Sequence, residues 1–147
     1  MKVIIQRVIK ASVLIDSKEE RRIEKGMVIL LGISKNDTTK DIDYLIRKIP
    51  KLRIFSDDND KMNLSINDIN GEILLISQFT LYANVKDGNR PSFEENMKYE
   101  SAKELYNDFI YKLKNTNIKF KTGEFGSDMK VSLINDGPVT IIIDTKE

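Results

Sequence analysis

The apolar positions of the chain follow two periods. Met1 to Val8 and Ala11 to Asp16 interleave Val and Ile with polar residues, which predicts two strands. Met27 to Ile33 is an unbroken apolar run entered through Gly26, the pattern of a strand covered on both faces. Ile42, Leu45, Ile46 and Ile49 then fall at i, i+3, i+4 and i+7, so the spacing predicts a helix over Thr38–Ile49. Asp37 and Asp41 suit the positive end of its dipole, and Pro50 stops it. A short strand is expected over Leu52–Phe55, and a long one over Glu72–Tyr82, apolar first and polar toward its end. Ser92-Phe93-Glu94-Glu95 and Ser101-Ala102-Lys103-Glu104 read as capping boxes. The second is expected to open a helix to Leu113 that turns Leu105, Tyr106, Phe109, Ile110 and Leu113 inward. Ile118–Lys121, Met129–Leu133 and Val139–Asp144 complete the strands, with Asn135–Pro138 as a turn. Lys18 to Arg22 reads as a charged hairpin loop.

This order, βββαββαβββ, predicts an α/β fold with a two-layered, barrel-like sheet and helices packed on one side. No repeat and no Pro/Gly/Ser-rich linker divides the chain, so residues 1–147 are expected to form a single domain. The apolar run Met27–Ile33 is far shorter than the roughly 20 residues that span a bilayer. The opening MKVIIQRVIK is charged at Lys2, Arg7 and Lys10, unlike a secretory leader. A cytoplasmic protein with no membrane partner is expected.

Charge narrows little, since 24 Lys+Arg against 23 Asp+Glu leave a net +1. The missing residues narrow more. Without Cys there is no thiolate nucleophile or thiolate metal site. Without His the usual general base near neutral pH is absent, and a Ser-His-Asp triad cannot be built. Ser56 to Lys61 is acidic, but a calcium loop counted from Asp58 would put Asn63 where Gly is needed and Ile69 where Glu is needed. It reads as an ordinary Asx-rich turn, and no metal or cofactor is expected.

Three segments are left with chemistry to offer. Ser77, Gln78 and Thr80 sit at the polar end of the long strand, either facing solvent or facing a ligand. Asn135-Asp136-Gly137-Pro138-Val139-Thr140 places a Gly-Pro corner between two strands. Lys86 and Arg90, with Lys98 nearby, offer charges to a phosphate backbone.

Ser77-Gln78-Phe79-Thr80-Leu81, followed by Asn135-Asp136-Gly137-Pro138-Val139-Thr140, resembles the paired signature of the D-aminoacyl-tRNA deacylases. The opening Met1–Val8, Met62-Asn63-Leu64-Ser65, Gly88-Asn89-Arg90-Pro91-Ser92-Phe93 and Gly123–Met129 are similar to that family as well, so the resemblance runs through the whole chain. It implies hydrolysis of the ester joining a D-amino acid to the terminal adenosine of tRNA, in a homodimer and without cofactor or metal. It further implies a catalytic segment Ser77, Gln78, Phe79 and Thr80, and a substrate-binding set of Gly137, Pro138, Asn135 and Met129 oriented by Arg7. The Gly137-Pro138 bond is then expected to be cis and to project into the partner subunit's site. Lys86 and Arg90 are the expected tRNA contacts. Backbone N–H groups at Phe79-Thr80 are suited to an oxyanion. Thr80 lacks a histidine to activate it, which favours a positioning role over a nucleophilic one. L-substrates are expected to be rejected by clash with the corner, and glycyl-tRNA, with no side chain to clash, to be cleaved. A sibling deacylase with a trans Gly-Pro, an RNA-binding module without activity, and an esterase using Thr80 with a lysine are the competing expectations.

Overall fold

One long strand, β1 (Lys2–Ile15), organises the molecule. In the computed structural model, which describes residues 1–147, its first half pairs antiparallel with β3 (Gly26–Gly32) and its second half with β2 (Glu19–Ile23). β8 (Met129–Asp144) covers the opposite edge along nearly its full length. β3 then passes the sheet on to β6 (Glu72–Ser77) and β7 (Lys119–Thr122), both parallel to their neighbours. Parallel neighbours need crossovers. The first carries α1 (Thr39–Lys48) and a small hairpin, β4 (Phe55–Ser56) with β5 (Met62–Leu64). The second carries α2 (Tyr99–Lys114). At the far end Arg21 of β2 donates to the Thr122 carbonyl of β7 at 2.8 Å, so the curled sheet nearly closes into a barrel.

Both helices lie on one face, as expected. Ile42, Leu45 and Ile49 from the first, and Tyr106, Phe109 and Leu113 from the second, share a core with Val3, Ile5, Met27, Ile29, Leu31, Ile73 and Leu75 of the sheet. A second, smaller core fills the other face under the curl: Val8, Ala11, Val13, Ile15, Ile23, Val28, Leu74 and Ile76. β3 is thus packed on both sides, which is why its sequence does not alternate. α1 begins with Thr38 accepting from Lys40 N–H, while Asp41 accepts from Thr38 N–H at 2.8 Å. Lys112 reaches Asp43 at 2.7 Å and ties the helices together. No helix is long and apolar enough to cross a membrane.

Several elements differ from the sequence expectation, and the order becomes βββαβββαββ. Met1–Val8 and Ala11–Asp16 are one strand, which exchanges β3 for β2 at a register break around Ile9 and Lys10. The charged stretch Lys18–Arg22 is mostly strand β2, its charges solvated along a hairpin. Leu52–Ile54 is unpaired, because a 3₁₀ turn at Ile49–Lys51 follows α1 and pairing starts only at Phe55. Met62–Leu64, not expected as a strand, completes that hairpin around an Asx turn in which Asp57 accepts from Asn59 and Lys61 N–H. α2 starts before Ser101, with Lys98 at its N-cap and no side-chain cap. Ser92 opens no helix and instead exchanges backbone bonds with Asn84 at 2.9 and 3.0 Å.

Candidate active site

The polar site begins where β6 leaves the core. Ile73 to Ile76 are buried, and the ladder with β3 ends when Gln78 N–H donates to the Leu31 carbonyl at 2.8 Å. The expected long strand stops there. Gln78, at φ −140 and ψ 79, swings the chain into a 3₁₀ turn over Phe79–Tyr82. The turn folds directly onto Gly32, where an added Cβ would come within 2.9 Å of Leu81 and 3.2 Å of the Gln78 carbonyl. Its hydrogen bonds start at Leu81 N–H to Gln78 at 3.3 Å and continue with Ala83 N–H to Thr80 at 3.1 Å. The turn therefore leaves the amides of Phe79 and Thr80 over, as the first donors of any helical turn are.

A cavity of about 570 Å³ opens beside this turn. Ser77, Gln78 and Phe79 form one side, and Phe125 to Met129, with Tyr99 and Asn96, the other. The far wall is shaped by two glycines. Gly126, at φ +81, sits under Tyr99, whose hydroxyl a Cβ would meet at 2.6 Å. Gly123 lies against the Met129 sulfur. Phe125 packs edge-on to Tyr99 with centroids 5.2 Å apart and rests on Tyr106 at 5.3 Å. Arg21 anchors the base of this wall through the Thr122 and Gly123 carbonyls and an ion pair with Glu124 at 3.1 Å.

The polar groups available are amides, hydroxyls and one carboxylate, Asp128. Gln78 Nε2 donates to Thr80 Oγ1 at 2.5 Å, and an amide accepts no proton from a hydroxyl. Two phenols lie close by. Burial pushes both Tyr82 and Tyr106 above the ordinary tyrosine value, so neither serves as a base near neutral pH. Asp128, on the cavity wall, pairs with Lys130 at 2.9 Å.

The second signature lies elsewhere. Asn135–Pro138 is a bulge inside β8 and not a turn between strands. Gln6 pairs with Thr140 and Val8 with Asn135, so four residues of β8 face the single residue Arg7 and loop outward. Arg7, buried, holds the loop by donating to the Asp136 carbonyl at 2.9 Å and to the Ile54 carbonyl at 2.8 Å. Asn135 closes it, accepting from Val139 N–H at 2.9 Å and donating to Thr140 at 3.1 Å. The Gly137-Pro138 bond is cis, and both residues are exposed. None of Arg7, Asn135, Gly137 and Pro138 lines the cavity of their own chain.

The structure thus brings Ser77, Gln78, Phe79 and Met129 to one cavity, leaves Thr80 outside its lining but bonded to Gln78, and keeps the Gly-Pro corner apart. Lys86 and Arg90 are exposed on the loop closed by the Asn84–Ser92 bridge. Sequence reasoning gave no role to Tyr99, Phe125, Gly126 or Asn96. Gly123–Met129 stood out as a motif, but Tyr99 and Asn96 sit in a charged stretch that carries no signal of its own.

The family model described as D-Tyr-tRNA(Tyr) deacylase matches residues 4–144. The D-aminoacyl-tRNA deacylase of Finegoldia magna is 60% identical over 146 residues, 99% of each chain. That of Thermosipho africanus is 52% identical, covering 100% of this chain and 99% of its own. The solved structure of c-Myc DNA Unwinding Element Binding Protein is 42% identical, with a TM-score of 0.91 and 99% of both chains covered. A probable eukaryotic D-amino acid tRNA deacylase shares the fold, with a TM-score of 0.84 at 15% identity over 97% of both chains. A match of this extent, to a family model and to full-length relatives alike, makes this chain a member of the D-aminoacyl-tRNA deacylase family of hydrolases.

Proposed function

We propose that the chain hydrolyses the ester between a D-amino acid, or glycine, and the terminal adenosine of tRNA. The observation that carries this reading is the start of the 3₁₀ turn at Phe79 and Thr80, whose first amides have no partner inside the turn, beside a cavity in which no lining hydroxyl is hydrogen-bonded to a carboxylate. An aminoacyl ester is already activated. Water adds to its carbonyl carbon, the oxyanion is held by the two amides, and the carbon–oxygen bond to the ribose breaks. One backbone donor so placed contributes about 3–4 kcal/mol. The vicinal 2′-hydroxyl of the ribose orients the water and relays its proton to the departing ribose oxygen. Thr80 and Gln78, bonded to each other, position the substrate.

Selection against L-substrates is assigned to the Gly137-Pro138 corner of a second copy. The corner is exposed and outside its own cavity, which supports a role in another subunit's cavity. The homodimer is taken to form through β8. β8 is paired on one edge alone, and Ile134 and Ile142 are exposed along it. The corner crowds the direction an L side chain takes and leaves a D side chain or a hydrogen free. Lys86 and Arg90 meet the phosphates of the acceptor end, giving binding that weakens with salt.

The test compares D-, L- and glycyl-tRNA, each with a terminal 2′-hydroxyl or 2′-deoxyribose. Expected are cleavage of the D- and glycyl-esters, resistance of the L-ester, and loss of most activity with the deoxy substrates. Equal rates on D- and L-esters remove the corner from the mechanism, and full activity on deoxy substrates removes the hydroxyl.

A further inference from the structure

Two aromatic rings stand in water at the mouth of the cavity. Phe79 is 60% exposed and Phe93 38%, and their centroids are 5.0 Å apart at a tilt of 59°. Large apolar side chains left open side by side mark a surface that something else covers. Their order is directional. Phe79 lines the cavity and Phe93 does not. Beyond Phe93 the chain runs through Ser92 into the loop that carries Arg90 and Lys86, a loop held at its neck by the Asn84–Ser92 bridge and at Lys86 N–H by the Asn84 side chain at 2.9 Å. From the cavity outward the surface therefore reads surplus amides, ring, ring, cations.

A polynucleotide with its 3′-terminal nucleoside in the cavity would meet these groups in this order on its way out. Its next base is unpaired, flat and apolar on both faces, and its phosphate is anionic. Sequence-tolerant stacking on aromatic rings beside basic residues is how proteins hold such nucleotides. We propose that Phe93, paired with Phe79, is a stacking platform for the base that precedes the terminal adenosine. The inference rests on the deacylase reading above and names a contact that reading did not include. The platform separates the reaction, which needs only the terminal ester, from recognition of the strand that carries it.

Three esters of the same D-amino acid decide the matter: on adenosine, on the dinucleotide cytidylyl-adenosine, and on that dinucleotide with an abasic 5′ sugar. Wild-type protein should show a KM on the intact dinucleotide on the order of 10-fold below that on the abasic one. Phe93→Leu, which keeps apolar packing without a π face, should abolish that difference and leave the adenosine ester within about 2-fold of wild type in kcat/KM. Phe93→Trp should preserve it. Equal KM values for intact and abasic dinucleotides in wild type, or an undiminished difference in Phe93→Leu, overturn the platform and leave the deacylase reading standing. No cleavage of any of the three esters by wild type overturns both.

Discussion

At the scale of single residues, the site depends on what Thr80 is bonded to. A nucleophilic hydroxyl needs a base that takes its proton, and Gln78 is not one. Thr80→Val, which keeps the shape and removes the hydroxyl, should lower kcat/KM on D-aminoacyl-tRNA on the order of 10-fold. Removal of a true nucleophile costs 10⁴-fold or more, on the order of what serine hydrolases lose. A single-turnover assay separates the two. Asp41 is a second residue with a readable consequence. Burial opposes its ionisation, but bonds from Thr145, the Thr38 amide and Lys146 outweigh this and hold its pKa at about 2. The folded value lies below the unfolded one of about 3.9, so ionised Asp41 stabilises the fold above about pH 4, and this contribution is lost as pH falls toward 2. Asp41→Asn should cost about 2 kcal/mol at pH 7 in urea unfolding. The gap from wild type should narrow steadily below pH 4. The Ser77–Leu81 and Asn135–Thr140 signatures were legible in the sequence as residues. That they sit apart on one subunit was not, because spacing along a chain does not say which face of a sheet a bulge leaves.

At the scale of elements, helices were more legible than strands. α1 announced itself through a 3.6-residue stripe with acidic residues at its start, and the structure follows both, adding a Thr38–Asp41 capping box that the sequence reading did not name. β2 was hidden because a run of consecutive charges, mostly exposed, looks like a loop, and the inward contacts of Arg21 are non-local. The long strand was extended too far because Phe79–Tyr82 alternates like a strand. Only contact with Gly32 shows that the chain turns there, and that contact is non-local. The same limit concealed the wall from Gly123 to Asp128, whose shape depends on Gly126 beneath Tyr99. Gly126→Ala puts a side chain at φ +81 and against the Tyr99 hydroxyl. The fold should lose roughly 1–3 kcal/mol, and KM for D-aminoacyl-tRNA should rise as Tyr99 is displaced. A melt and a steady-state assay on one preparation measure the two effects.

At the scale of the whole molecule, the proposed dimer is tested on the exposed face of β8. Ile142, 66% exposed, lies on it. Ile142→Glu should leave the single subunit folded, shift sedimentation to the monomer, and erode discrimination between D- and L-esters more than the rate on glycyl-tRNA. An unchanged dimer places the interface elsewhere. The overall α/β plan, with helices on one side of a barrel-like sheet, followed from counting periodic segments. What ties the far edges of that barrel-like sheet together, Arg21 reaching across to the Thr122 carbonyl, was not legible, because Lys18–Arg22 reads as a loop. A last consequence comes from β1 and β8, which lie near opposite ends of the sequence and pair along almost their whole lengths. During synthesis β1 emerges first and waits, one edge bare, until β8 clears the ribosome. Contacts this distant fold slowly. A nascent chain interrupted before β8 therefore presents a long, apolar, hydrogen-bond-ready edge, and such fragments are natural clients for chaperones and proteases.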